Sequence, residues 1–159
     1  MAIIIFFTLT LLFILISISV EDLRTMLISE NKLIILIALG LAYLMYLGLS
    51  SEKVNIKDLI IKNSFSMLII FIILYLISHL SYKIIGVNSL GIGDIKLLSI
   101  STLWLGLELS LISIFISFLL SAIYSMYGKI FKRFKPFKQY PFAPFVSIGI
   151  FSSWIIDKI

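Results

Sequence analysis

The sequence predicts an all-α polytopic membrane protein. Three observations carry this: 61% of the residues are hydrophobic, only 13% are charged, and the apolar residues gather in runs long enough to cross a bilayer. Soluble domains are roughly half apolar, with about a quarter of their residues charged. A chain of 159 residues with mean hydropathy +1.18 cannot hide that much apolar side chain from water, so lipid is the solvent for most of it. A single membrane-embedded domain over residues 1–159 is expected.

Six apolar runs are read, at 2–20, 33–49, 59–80, 95–105, 109–127 and 142–156. Each is too long and too uniformly apolar for an alternating barrel strand, so about six transmembrane helices are expected. The first run has no preceding positive charge and no small-residue cleavage pattern after it, so it is expected to remain as a span. Gly106 to Glu108 separate the fourth run from the fifth. From Asp94 to Leu107 a helix covers roughly 20 Å, short of the ~30 Å hydrocarbon core. Asp94 should therefore lie recessed below one membrane face.

The net charge of +5 is read as a topology signal and as headgroup contacts, and no nucleic-acid partner is expected. With six spans, the segments after the first, third and fifth runs share one side. That side holds Arg24, Lys32, Lys83, Lys96 and the basic loop of Lys129, Lys132, Arg133, Lys135 and Lys138. The other side holds Lys53, Lys57, Lys62 and Lys158. The positive-inside rule then puts the first group in the cytoplasm and both termini on the outer side. With no cysteine and one histidine, His79, neither a thiolate metal site nor a zinc site is expected. No cofactor is expected.

The same count constrains the acids. Asp22 follows the first run and Asp94 precedes the fourth, so both fall near the cytoplasmic face. Glu52, Asp58, Glu108 and Asp157 fall on the outer side, while Glu21 and Glu30 share the inner side as reserve candidates. Two carboxyl groups sharing one proton are what an aspartyl protease needs, since close like charges cannot both ionise. One member takes a proton from water and the other polarises the scissile carbonyl. Asp94 stands in Gly91-Ile92-Gly93-Asp94, where the glycines allow close backbone approach. A purely structural reading stands beside the catalytic one: Asp94 as the N-cap of the fourth helix.

The segment Gly91-Ile92-Gly93-Asp94-Ile95-Lys96-Leu97-Leu98 resembles the GxGD-(V/I)-K-L segment of type IV prepilin peptidases. Ser19-Val20-Glu21-Asp22-Leu23-Arg24, with Ile28 following, resembles that family's first aspartate motif. Tyr140-Pro141-Phe142-Ala143-Pro144-Phe145 resembles the P-F-x-P-F start of its last helix. The resemblance implies a six-helix membrane aspartyl endopeptidase that removes a short basic leader from prepilin-like subunits at the cytoplasmic face. It implies Asp22 and Asp94 as the catalytic pair, with Gly91 and Gly93 shaping the site. There are two departures. The I-P-N sequence of the family reads Ile28-Ser29-Glu30-Asn31 here, and the cysteine-bearing zinc segment of longer members is not in this sequence. Methyltransferase activity is not expected.

Lys96 has two readings, tuning the pair or holding substrate, and simple snorkelling to the interface, of which the second is preferred. Glu21 and Glu30 suit contact with a basic leader better than the basic loop does. Pro141 and Pro144 are read as starting the last helix. Trp104, Trp154, Tyr43, Tyr46 and Tyr140 are read as an aromatic belt at the headgroups. The competing function is a transporter or ion-conducting protein, in which buried acids mark an ion path.

Overall fold

A computed structural model describes residues 2–50, 55–86, 90–131 and 140–158. The expected polar stretch at Glu52 and Lys53, and Lys132, Arg133, Lys135 and Lys138 of the basic loop, lie outside the described residues. All regular structure among the described residues is helical: α1 (Ala2–Thr25), α2 (Glu30–Ser50), α3 (Ile56–Ile85), α4 (Ile92–Ile130) and α5 (Ala143–Lys158). Four of these, α1 to α4, are long and apolar enough to cross a membrane. Large apolar side chains such as Phe6, Phe13, Leu49, Phe65 and Phe115 stand exposed on the outside. That surface suits lipid, which needs no polar cover.

Where six helices are expected, the described residues form five helical elements, because the fourth and fifth runs lie in one element, α4, on either side of a kink. The joint is at Gly106, whose φ of 72° and ψ of 178° are not helical. That conformation is open almost only to glycine. The chain reverses there, and contacts with α5 show it. Before Gly106, Asp94 lies near Asp22, which is bonded to Ala143 at the start of α5. Ten residues later, Trp104 packs on Trp154 near the other end of α5, with ring centroids 5.7 Å apart. After Gly106, Ser113 and Ser117 flank Gly149, and Phe118 and Tyr124 return to Phe142 and Phe145. The two limbs of α4 thus run in opposite directions along α5.

The first limb is the core of the bundle. Leu97 to Leu105 are buried without interruption, so this stretch is enclosed on every side. Around it, α1 offers the face Phe7, Leu11, Leu15, Ile18 and Asp22, a spacing of three and four residues that makes one stripe on a helix. The face of α2 is Leu33, Leu36, Gly40, Tyr43, Leu44 and Gly48. Asn63, Ser66, Ile70, Leu74 and Ser78 are buried on α3.

The second limb meets α5 along Ser110, Ser113, Ser117 and Ser121, all buried. Small residues let helix backbones approach closely in lipid, where packing rather than hydrophobicity drives association. Gly149 is the tightest point: a Cβ there would overlap Ser117 Oγ and crowd the Ser113 carbonyl.

Far from the acids, the bundle closes on an aromatic cluster. Tyr43 stacks on Trp104 at 5.8 Å, Trp154 meets Tyr43 edge-on at 4.8 Å, and Phe7 lies 5.3 Å from Tyr43. Trp104 Nε1 donates to the Leu36 carbonyl and Trp154 Nε1 to Thr8 Oγ1, each at 3.0 Å. Lys158 donates to the Tyr43 hydroxyl at 2.7 Å and sits over the Trp154 ring. This corrects the aromatic-belt reading: Trp104, Trp154 and Tyr43 are fully packed inside the bundle. Tyr46 lies 6.0 Å from Phe7, and the Tyr140 hydroxyl is bonded to Ser121 Oγ at 2.8 Å.

Two substitutions test this packing by thermal unfolding in detergent. Gly106→Ala should cost about 1–2 kcal/mol, because a side chain is strained at positive φ. Gly149→Leu should cost at least as much, roughly 1–3 kcal/mol or more, because no space exists between α5 and the second limb of α4.

Candidate active site

Asp22 lies within α1, in its last turn, and not beyond the helix as its polar neighbours Glu21 and Arg24 suggested. The apolar run stops at Val20, but the backbone keeps its helical bonds through Thr25. Asp22 continues the buried register Leu11, Leu15, Ile18 and is itself only 5% exposed. Its Oδ2 accepts a hydrogen bond from the backbone N–H of Ala143 at 3.0 Å, and the Phe142 N–H lies beside the carboxylate. These donors are free because they open α5, where the first N–H groups of a helix lack intrahelical acceptors. Pro141 precedes this turn and Pro144 lies in it, as suits a helix start. Just along the helix, Ser19 Oγ donates to Ser147 Oγ at 2.8 Å, and Ser147 Oγ to the Leu15 carbonyl at 3.2 Å, fixing α5 against α1.

Asp94 is the third residue of α4. The N-cap is Gly91, with extended backbone and no side-chain cap, so the simple N-cap reading of Asp94 is corrected. Its carboxylate instead reaches back to the Gly91 N–H, the half of a capping box that an acid three residues on supplies. Its Oδ1 is buried and has no hydrogen-bond partner. Gly91 and Gly93 are small for different reasons. A Cβ on Gly91 would sit 3.0 Å from Asp94 Oδ2, and a Cβ on Gly93 would sit 3.2 Å from the Ile28 Cβ.

The structure therefore brings together residues from all three motif segments. Asp22 and Asp94 are close enough for their charges to interact. Ile28, from the connection after Asp22, packs on Gly93 directly before Asp94. Ala143 holds Asp22 from the third segment. In that connection, Met26 takes a left-handed conformation (φ 54°) and its N–H bonds the Asp22 carbonyl at 2.9 Å. This turn ends α1 where glycine would be usual.

Glu21 and Lys96 do not join the pair. Glu21 accepts from the Ser29 N–H at 3.2 Å and pairs with Lys32 at 3.2 Å, so it pins the connection between α1 and α2. Lys32 also donates to the Ser17 carbonyl at 2.8 Å. Lys96 pairs with Glu30 at 2.6 Å on an exposed edge of the bundle. Below that pair, Leu33, Ile37, Met67, Phe71 and Ile100 line an apolar cleft of about 350 Å³. Among the described residues, no group of three or more His, Cys, Asp or Glu side chains is placed to hold a metal ion.

Enlarging Gly93 tests whether the two aspartate segments depend on each other. Gly93→Val should push Ile28 away and cost about 1–3 kcal/mol by overpacking. It should also move Asp94 relative to Asp22. A melting curve checks the first effect, and distance measurement between spin labels on the two segments checks the second.

Residues 9–126 match the model of the type IV leader peptidase family. The match includes both aspartates, while the α5 residues that bond Asp22 lie beyond it. No curated protein matches the chain, and no solved structure does. The family match extends over well more than half of the sequence and contains the segments that build the carboxyl pair, so the protein belongs to the type IV leader peptidase family.

Proposed function

We propose that this protein is a membrane aspartyl endopeptidase that cleaves the short basic leader from prepilin-like proteins, with Asp22 and Asp94 as its catalytic pair. The single observation that carries the reading is that these two carboxyls, far apart in sequence, lie close enough at one end of a lipid-facing bundle for their charges to interact. The family membership supports peptidase chemistry. The geometry supports the aspartic type, since the carboxyls interact and Lys32 and Lys96 are engaged by Glu21 and Glu30.

The chemistry is hydrolysis by a shared proton. One carboxylate draws a proton from water as the oxygen attacks the scissile carbonyl carbon. The other carboxyl gives its proton to the carbonyl oxygen, forming a gem-diol. The first then returns its proton to the amide nitrogen as the C–N bond breaks, and a diol hydroxyl restores the second. Such general acid–base steps contribute typically 10²–10⁴-fold each.

The reading includes a topology. The two limbs of α4 and the helix α5 complete six crossings, with both termini outside and the carboxyl pair toward the cytoplasm. Lysine and arginine bias on the inner side supports this orientation. Glu30, exposed and paired with Lys96, two residues after Asp94, is the acid we assign to meet a basic leader.

Asp22→Asn and Asp94→Asn, made separately and assayed with a co-expressed prepilin-like protein, should each abolish leader removal, by about 10³-fold or more. Unimpaired cleavage in either variant removes that residue from the pair.

A further inference from the structure

The two carboxyls are held differently, and this difference assigns their roles. Asp22 receives a backbone donor at the start of α5, from Ala143 at 3.0 Å, and the Phe142 N–H lies beside it. Asp94 receives one, from Gly91, and its Oδ1 is buried with no partner. A carboxylate that accepts several N–H bonds is favoured in its charged form, and a helix start adds positive potential. A buried carboxyl oxygen without a donor is the place where a proton costs least and satisfies most.

We propose that the first turn of α5 is a positioning element that keeps Asp22 ionised as the base, leaving Asp94 to carry the shared proton. This rests on the peptidase reading above. It reverses what the first turn of α4 alone implies, since a helix start favours charge on Asp94 too; the partnerless, buried Oδ1 of Asp94 tips the balance. In the cleavage step, Asp22 takes the proton from water and Asp94 gives its proton to the scissile carbonyl oxygen. In the collapse step, Asp22 returns its proton to the leaving nitrogen and Asp94 recovers one from the diol.

Of the charges close in sequence to the pair, Arg24 is exposed in the last turn of α1, and Glu21 and Lys96 are engaged by other partners. On α1, Glu21 is bound to Lys32 of α2. On α4, Lys96 is bound to Glu30 of α2. The described charges of α5, Asp157 and Lys158, bond each other at the far end of the bundle. The group on a packed element that interacts with Asp22 is Asp94 itself.

Two measurements test the assignment. The first needs no substrate. Infrared spectra of the detergent-solubilised protein at neutral pH should show a protonated-carboxyl band that is absent from Asp94→Asn. A band that persists in Asp94→Asn places the proton on Asp22 and overturns the proposal, as does absence of any such band in the wild type. The second compares Ala143→Pro with Ala143→Gly on a prepilin-like peptide bearing a basic leader. Proline at the first position of a helix is compatible with the helix and deletes only the N–H, while glycine keeps it. Relative to the glycine variant, the proline variant should lose about 100-fold in kcat with little change in KM, as expected when a catalytic group is misplaced. Equal kcat in the two folded variants would overturn the role of α5, and where the proline variant does not fold, the infrared result decides. If the wild type cleaves no such peptide, the peptidase reading fails, while the spectra still report which carboxyl holds the proton.

Discussion

Lipid offers the backbone no hydrogen-bond partner, so inside a bilayer each helix must satisfy its own N–H and C=O groups. The groups left over are those at helix ends. In this protein two helix starts, those of α4 and α5, converge on one spot, and a carboxyl stands at each. Asp22 spends its position at the end of one helix on the free donors of another. Asp94 turns back on the first N–H of its own helix. Burial of two acids in an apolar bundle is tolerable only where such donors exist, and this dictates that the site lies at one end of the bundle.

Much of the architecture was legible because apolar runs translate directly into helices in a membrane. The break at Gly106 was visible as a glycine followed closely by Glu108, and the structure puts its one non-helical residue of α4 there. The counting of spans put Asp22 and Asp94 on one side, and the two carboxyls are close enough for their charges to interact. The end of α1 lies beyond the apolar run, because apolar side chains stop at the lipid boundary while backbone hydrogen bonds continue past it. Counting the helical register from Leu11 through Leu15 and Ile18 would have placed Asp22 on the buried face. Trp104 and Trp154 are buried in the bundle and so do not belong to an interfacial belt.

The donors from α5 were not legible, since backbone N–H groups carry no residue type. Pro141 and Pro144 marked the helix start but not its neighbour. Nor did the sequence reveal why the glycines before Asp94 matter. Gly91 leaves room for the carboxylate folded over it, and Gly93 leaves room for Ile28. Glu21 looked like a substrate contact from its position beside Asp22, yet successive residues on a helix point in different directions. It holds Ser29 and Lys32 while Asp22 faces the core.

Enclosure of the first limb of α4 has a mechanical outcome. A rod gripped along its whole length between close-packed neighbours moves as a unit, because interiors of protein density transmit strain rather than absorb it. Trp104 stands about 15 Å from Asp94 along that rod, at 1.5 Å per residue. A changed volume beside its indole would slide the rod lengthwise, and the acid at its tip would travel with it. Residues remote from the chemistry thereby become fine adjusters of the gap between two carboxyls.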